Sequence, residues 1–307
     1  VSKKVCIYAK KSVPLCPQKI LIMNNFVTRT LSATVYAALV ISSILVHPYY
    51  FGVVFLVLSM LTVHEFMHLM THTEGTPAKG TVLQTVLPML LAGVLFAAYY
   101  CNGGLTTWLS RTVYGGLLML TLITELFLKA ENPIRNWGNI LVSQVMIALP
   151  FALMTKIYAY SGFNGFDSVA KGPFLLLSLF ILIWVNDSGA YIVGCTMGKR
   201  KGGNHKMFPR VSPNKSWEGL IGGVFFALLG GWILYKAGWL PTCTFALLFA
   251  VLISGFGTLG DLMESLMKRT IGVKDSGNIM PGHGGVLDRF DSLLLATPVL
   301  YLLLQVI

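Results

Sequence analysis

The sequence predicts an all-α, polytopic membrane protein with about nine transmembrane helices and a cytoplasmic N-terminus. Of its 307 residues, 55% are hydrophobic and only 11% are charged, whereas soluble globular domains carry roughly 25% charged residues. Apolar runs recur along the chain, each near the roughly 20 residues that an α-helix needs to cross a bilayer. Lysine and arginine residues concentrate in alternate connections between these runs, a pattern that fixes orientation in a membrane.

Nine apolar runs define the predicted spans. In chain order they cover residues 29–46, 51–70, 82–100, 108–128, 137–155, 173–195, 217–235, 241–264 and 289–307. We divide this single membrane unit into an N-terminal transmembrane scaffold, residues 23–172, and a C-terminal catalytic region, residues 173–307, which holds nearly all the polar motifs. Residues 1–22 are basic and irregular, and we interpret them as an N-terminal extension without an assigned role.

The distribution of charge predicts both orientation and partners. With the N-terminus in the cytoplasm, nineteen of the 23 Lys and Arg residues fall on the cytoplasmic side, as the positive-inside rule requires. The same orientation brings residues 196–216 and 265–288, the two loops richest in polar residues, to one face. The net charge of +11 is spread over short loops, which favours anionic headgroups and anionic substrates over nucleic acid. Five scattered cysteines predict neither a disulfide framework nor a zinc knuckle.

Two polar motifs flank the loop between the sixth and seventh spans. Asn186 and Asp187 lie inside the sixth span, where an ionisable residue is costly and marks a functional site by default. Ser216 and Glu218 begin the seventh span, and Ser216 is a typical helix N-cap. Because helix N-termini attract anions, this one, next to Lys215, also suits a phosphate group.

The most polar segment joins the eighth span to the ninth. On a helix, Asp261, Ser265 and Lys268 share one face because their spacings follow the helical repeat. Asp288 and Arg289 begin the ninth span. Carboxylates from two helices, Asp261 and Asp288, suit a magnesium ion whose coordination is completed by substrate phosphates. A set of interfacial salt bridges is the purely structural interpretation of the same residues.

A competing motif lies in the second span, where residues 64–68 read His-Glu-Phe-Met-His. In zinc proteases the two histidines of HExxH bind the metal and the glutamate activates water. A third ligand is not apparent in a second motif, and a zinc site would leave the C-terminal polar motifs unexplained. An intramembrane metalloprotease using His64, Glu65 and His68 is therefore an alternative function.

Residues 265–291 resemble the signature of the CDP-diacylglycerol synthase (phosphatidate cytidylyltransferase) family. That pattern runs Ser-x-apolar-Lys-Arg, then Lys-Asp, a Pro-x-His-Gly-Gly turn and finally Asp-Arg-x-Asp. The matching positions are Ser265, Lys268, Arg269, Lys274, Asp275, Pro281, His283, Gly284, Gly285, Asp288, Arg289 and Asp291. The resemblance extends to residues 186–190, 212–219 and 260–261, and the number of predicted spans agrees with the family.

The resemblance implies magnesium-dependent nucleotidyl transfer in phospholipid biosynthesis. CTP and phosphatidate would give CDP-diacylglycerol and pyrophosphate, through attack of the lipid phosphate on the CTP α-phosphate at the cytoplasmic membrane face. The resemblance implies four catalytic residues, Asp261, Asp288, Lys268 and Arg289. Asp261 and Asp288 would bind Mg²⁺, and a second cation such as K⁺ fits the same scheme. The residues expected to bind substrates are Lys215, Ser216, Ser265, Arg269, Lys274, His283, Asn186 and Asp187.

The predicted partners are the substrates phosphatidate and CTP and the surrounding membrane lipids, and the resemblance also allows a homodimer. The compact chain indicates a bacterial inner (cytoplasmic) membrane. A transporter is the second alternative function, because Asp187, Asp261 and Glu264 could instead line a pathway for an ion or a metabolite.

Overall fold

The structure is a computed structural model. It describes residues 15–72, 82–101, 104–128, 132–161, 172–198, 203, 205–277, 279–280 and 284–306. Within these residues, nine helical stretches are long and apolar enough to cross a membrane. The predicted all-α polytopic membrane fold with nine spans is therefore confirmed.

The elements follow one another as a series of long helices interrupted by one small hairpin. The helices are α1 (Leu15–Val46), α2 (Pro48–His72), α3 (Val82–Tyr100), α4 (Gly104–Leu128), α5 (Pro133–Val142), α6 (Leu149–Tyr158), α7 (Gly172–Gly198), α8 (Trp217–Lys236), α9 (Cys243–Thr270), α10 (Leu287–Phe290) and α11 (Leu293–Val306). A π-helical stretch, Ser143–Ala148, joins α5 to α6 in one span, and α10 and α11 share the last span. The strands are β1 (Lys206–Phe208) and β2 (Ser212–Ser216).

Helix α9 continues beyond residue 264, where the predicted eighth span ends. Its polar last turns remain helical, and Ser265 Oγ donates to Asp261 Oδ1 at 3.2 Å one turn earlier. The helix ends where Gly272 adopts a φ of 75°, the left-handed conformation that commonly terminates helices. The connection before the last span is therefore short, and the structure describes residues 271–277, 279–280 and 284–286 of it. At the other end of the chain, α1 begins at Leu15, so part of the predicted N-terminal extension is helical.

The two strands form an antiparallel hairpin where the sequence predicted only a loop. Lys206 pairs with Ser216, and Ser216 Oγ then accepts the Gly219 backbone N–H at 3.1 Å. The predicted N-cap is thereby confirmed. His205 fastens the hairpin to α8, because its backbone N–H donates to the Glu218 carboxylate at 3.1 Å and its Nδ1 lies 2.6 Å from Glu218 Oε1.

Helices α7 and α8 pack closely because glycines face their neighbours' side chains. A Cβ atom at Gly189 would lie 2.6 Å from Phe226 Cβ, and one at Gly223 would lie 2.6 Å from Asn186 Oδ1. Small residues serve this purpose in membranes, where packing replaces the hydrophobic effect as the force that joins helices. The contact holds the middle of α7 against the start of α8.

Aromatic packing fixes the start of the last span. Phe290 is fully buried, and its ring centroid lies 4.8 Å from Phe151 and 6.3 Å from Phe180. Tyr36 on α1 adds an edge-on contact at 5.8 Å. Because the neighbouring residues Asp288 and Arg289 share this short helix, the buried ring also restricts where their side chains can lie.

Candidate active site

Two adjoining cavities lie beside the C-terminal halves of α7 and α9, which carry polar residues. The larger has a volume of 720 Å³ and the smaller 450 Å³. Asp187 from α7 and Asp261 from α9 line both cavities. The two spaces therefore meet at a pair of carboxylates.

The larger cavity is walled by α7, the hairpin, the start of α8 and α9. Its polar lining residues are Asn186, Asp187, Lys206, Ser212, Asn214, Lys215, Ser216, Thr258 and Asp261. Most of these residues can donate hydrogen bonds, and two are cations. Asp187 and Asp261 balance these two charges, so the lining as a whole suits a polar ligand rather than a simple anion.

Lys215 and Asp261 form an ion pair between β2 and α9. Lys215 Nζ lies 2.6 Å from Asp261 Oδ2, and both side chains are partly exposed. Ser265 donates to the other carboxylate oxygen of Asp261. The Ser216 hydroxyl accepts the N-cap hydrogen bond and keeps its own hydrogen available to a ligand in the cavity.

Asn186 fixes the neighbouring carboxylate at the junction of the cavities. Its side-chain Nδ2 donates to Asp187 Oδ1 at 3.1 Å, while its Oδ1 accepts from the Ser254 hydroxyl of α9. Asn186 is 4% exposed, whereas Asp187 faces open space. The amide therefore orients the carboxylate, and both residues line the larger cavity.

The smaller cavity has one polar side and one apolar side. The polar side consists of Asp187, Asp261, Asp288, Arg289, Asp291 and Ser292. The apolar side is built by α1, α7 and α11 from Ala33, Ala37, Ile183, Trp184 and Leu293. A ligand with a charged head and a hydrocarbon body matches this lining.

Lys268 lies between two carboxylates beside the smaller cavity. Its Nζ is 2.6 Å from Asp288 Oδ1 and 2.5 Å from Glu264 Oε2. Glu264 is fully buried. The second oxygen of Asp288 accepts backbone N–H groups from Ser276 at 2.9 Å and Gly285 at 2.8 Å, so the Asp288 carboxylate is held by the loop as well as by the lysine.

Among the described residues, three that are expected to bind substrates line neither cavity: Ser265, Arg269 and Lys274. Arg269 is exposed, and its Nη1 donates to the Val273 carbonyl at 2.9 Å. Lys274 is also exposed, and neither residue lines either cavity. His283 lies outside the described residues. Contact of these four residues with substrate stays a prediction.

The N-terminal half contributes residues to the site that the sequence analysis did not assign there. Tyr36 on α1 lines the smaller cavity, and its hydroxyl donates to the Arg289 carbonyl at 3.4 Å. Glu65 on α2 accepts the Leu287 N–H at 2.8 Å through Oε2. The sequence did mark Glu65 as unusual, since an acid inside an apolar span indicates a functional site. The HExxH pattern, however, favoured a zinc protease instead of a contact with the last span.

Asp261 and Asp288 are the carboxylates of the smaller cavity that could hold a magnesium ion. Among the described residues, no three or more His, Cys, Asp and Glu side chains are grouped to hold a metal ion. Zinc sites use at least three protein ligands, and the described residues around His64 and His68 do not provide such a group. Magnesium is commonly bound by one or two carboxylates together with substrate phosphates, and Asp261 and Asp288 line the same cavity.

These features define an integral membrane protein with a charged site between a polar cavity and a cavity that is partly apolar. Residues 27–307 match the model of the cytidylyltransferase family, and the chain belongs to that family. A phosphatidate cytidylyltransferase of Staphylococcus aureus is 44% identical over 156 residues, which is 50% of this chain and 58% of the relative. Its counterparts from Staphylococcus haemolyticus and Staphylococcus epidermidis show the same identity over 156 and 161 residues. The matched region thus spans 58% of the length of these curated relatives.

Proposed function

We propose that the chain is a phosphatidate cytidylyltransferase of a bacterial inner membrane, with its site on the cytoplasmic face. The observation that carries the proposal is the pair of cavities, one polar and one amphipathic, that meet at Asp187 and Asp261. A reaction between a water-soluble nucleotide and a membrane lipid requires such a junction, because one substrate arrives from water and the other from the bilayer. Polar structure at membrane depth is tolerated where it lines a cavity of this kind. The names of the staphylococcal relatives support the same activity.

Each substrate matches one cavity. The larger cavity carries Lys206, Lys215 and Ser216, and we assign it to CTP, whose triphosphate needs cations and hydrogen-bond donors. The smaller cavity combines Arg289 with the apolar walls of α1 and α7, and we assign it to phosphatidate. The lipid phosphate and the CTP α-phosphate would then meet between Asp187 and Asp261.

The proposed reaction is a displacement at phosphorus. An oxygen of the lipid phosphate forms a bond to the α-phosphorus of CTP, while the bond from that phosphorus to the oxygen bridging to the β-phosphorus breaks. Pyrophosphate leaves with the electron pair of that bond. The lipid phosphate is already ionised near neutral pH, so no protein base is needed. Phosphoryl transfer of this kind depends on positioning and charge neutralisation.

The two lysine–aspartate pairs supply the charges for that task. In the structure, Lys215 neutralises Asp261 and Lys268 neutralises Asp288. Phosphate oxygens offer the same ammonium groups an alternative anionic partner. We assign Asp261 and Asp288 to Mg²⁺, which when bound would neutralise charge on the phosphates. Ser265 would then exchange its hydrogen bond to Asp261 for one to phosphate.

The cytoplasmic position of the site, a second cation and a homodimer stay predictions. The cytoplasmic position of the site rests on the distribution of Lys and Arg residues. A second cation such as K⁺ and a homodimer rest on the resemblance alone.

The test is a reaction of purified protein in detergent with labelled CTP, phosphatidate and Mg²⁺. We expect a labelled CDP-lipid and pyrophosphate in equal amounts, and we expect Asp288→Asn to abolish both. His64→Ala serves as the control and should retain most of the activity. Absence of any CDP-lipid would refute the proposal, and solute flux in reconstituted vesicles would then favour the transporter alternative.

A further inference from the structure

Glu65 is a buried acid that reaches across the molecule to the loop before the last span. It lies in α2 and is 5% exposed. Its Oε2 accepts the Leu287 backbone N–H at 2.8 Å and the Ser276 hydroxyl at 3.4 Å, across 222 and 211 positions of the chain. A carboxylate in an apolar helix is costly to bury, and among the described residues its Oε1 has no hydrogen-bond partner. This cost indicates a role for the residue.

The contacts of Glu65 continue directly to Asp288. Ser276 links the two carboxylates, since its hydroxyl donates to Glu65 while its backbone N–H donates to Asp288 Oδ2 at 2.9 Å. Leu287 adjoins Asp288 and begins α10, a helix whose own N-cap residue, Val286, provides no side-chain hydrogen bond. Glu65 therefore satisfies a backbone donor at the start of the last span, one residue before Asp288.

Two glycines of the loop make room for the Glu65 carboxylate. A Cβ atom at Gly277 would lie 2.8 Å from Glu65 Oε1, and one at Gly285 would meet both Ser276 Oγ, at 2.2 Å, and Glu65 Oε2, at 2.5 Å. Neither glycine has a positive φ, in contrast to Gly272 and Gly284. Backbone conformation therefore does not require glycine at 277 or 285. The close approach of Glu65 requires glycine at 277, and Glu65 together with its partner Ser276 requires it at 285.

We propose that Glu65 is a positioning residue that holds the loop of residues 271–286 and, through it, the Asp288 carboxylate. The expected effect of Glu65 on turnover rests on the proposed function. Its effect on the loop does not, because exchange in the loop can be measured without any reaction. Glu65 acts through Ser276 and Leu287 and does not touch substrate. It also explains why a glutamate stands inside the HExxH pattern when the described residues offer no zinc site.

The first test measures the loop directly, by hydrogen–deuterium exchange of the purified protein in detergent without substrate or metal. We expect Glu65→Ala to raise exchange in peptides covering residues 271–290 and to leave α3 and α4 unchanged. Glu125→Ala is the matched control, because Glu125 is another buried acid, 3% exposed, that is bound by neutral Gln84 and Asn136. The control should not change exchange in the loop. An unchanged loop in Glu65→Ala, or a general rise along the chain, would overturn the proposal.

The second test is a double-variant cycle on turnover with Gly277. We expect Glu65→Ala and Gly277→Ala each to lower kcat by about tenfold or more and to raise the Mg²⁺ concentration for half-maximal rate, as loss of supporting contacts around a metal typically does. The KM for CTP should change little. Because Gly277→Ala acts by pressing on Glu65, the double variant should be no worse than Glu65→Ala alone.

The proposal would be contradicted if the fold-reduction of kcat in the double variant equalled the product of the two single reductions. It would also be contradicted if kcat fell without any change in the Mg²⁺ requirement. The outcomes also separate the two hypotheses. A wild-type chain without cytidylyltransferase activity would refute the proposed function, whereas the exchange experiment would still decide the role of Glu65.

Discussion

Lys268 and Asp288 form an ion pair between the last turn of α9 and the first turn of the last span, with 2.6 Å between Nζ and Oδ1. The lysine side chain is 12% exposed and that of Asp288 only 6%. Glu264, fully buried, shares the same ammonium group. One cation thus stabilises two acids, which makes this cluster more sensitive to substitution than the partly exposed pair of Lys215 and Asp261.

Lys268→Met should therefore lower both activity and stability. Removing one partner of a buried ion pair typically costs about 3–5 kcal/mol, because the remaining charge stays buried. We expect a lower thermal midpoint in detergent and loss of CDP-lipid formation. Adding Glu264→Gln should recover much of the stability without restoring activity. Recovery of activity in the double variant would show that Lys268 serves only to neutralise Glu264.

Lys215→Gln should impair CTP binding with little effect on stability. The pair with Asp261 is 23% and 32% exposed, and pairs of this kind contribute only about 0–1 kcal/mol to stability. We expect an almost unchanged thermal midpoint and a KM for CTP raised by about tenfold or more, since the lysine would lose its phosphate contact. Lys215→Arg provides the control that keeps the charge. A normal KM for CTP in Lys215→Gln would remove this residue from the nucleotide site.

The assignment of the two cavities can be tested by filling each with a bulky side chain. Ala33 lines the smaller cavity and Cys195 the larger, and both are exposed. Ala33→Phe should raise the KM for phosphatidate and leave the KM for CTP unchanged, while Cys195→Phe should do the reverse. The two variants act as controls for each other. A change in the same constant in both would contradict the assignment.

Gly223→Ala should disturb the site indirectly, by displacing Asn186. The added Cβ would meet Asn186 Oδ1, and overpacking of this kind typically costs about 1–3 kcal/mol. Because Asn186 holds Asp187, we expect turnover to fall together with thermal stability. Gly255→Ala is the control, since among the described residues no atom beyond its own stretch of helix lies within 4 Å of a Cβ there, and this variant should be neutral or slightly stabilising. Full activity in Gly223→Ala would argue against a role for Asn186 in orienting Asp187.

Local patterns in the sequence were sufficient to predict the spans and much of the site. Apolar length predicted the nine helices, the helical repeat placed Asp261, Ser265 and Lys268 on one face, and residue type identified the Ser216 N-cap. Each of these features depends on residues close in sequence. The end of α9 was less predictable, because its polar last turns resemble a loop in hydropathy although they remain helical.

Contacts between distant segments could not be predicted from the sequence. Nothing local to Lys215 and Asp261 predicts that they pair, and the hairpin of β1 and β2 is too short to show a strand pattern. Glu65 is the clearest case, since its partners lie more than 200 positions away. The HExxH motif suggested that Glu65 activates water in a zinc protease, and only the folded chain brings Glu65 to the loop.

The region assigned from sequence as catalytic, residues 173–307, lacks one wall of the smaller cavity and the acceptor for the Leu287 N–H, because α1 and α2 supply both. A truncated protein that began at residue 173 would retain every motif of the family signature. We expect it to insert into bilayers yet remain inert, and co-expression of the missing amino-terminal fragment should rescue it if the two pieces reassemble.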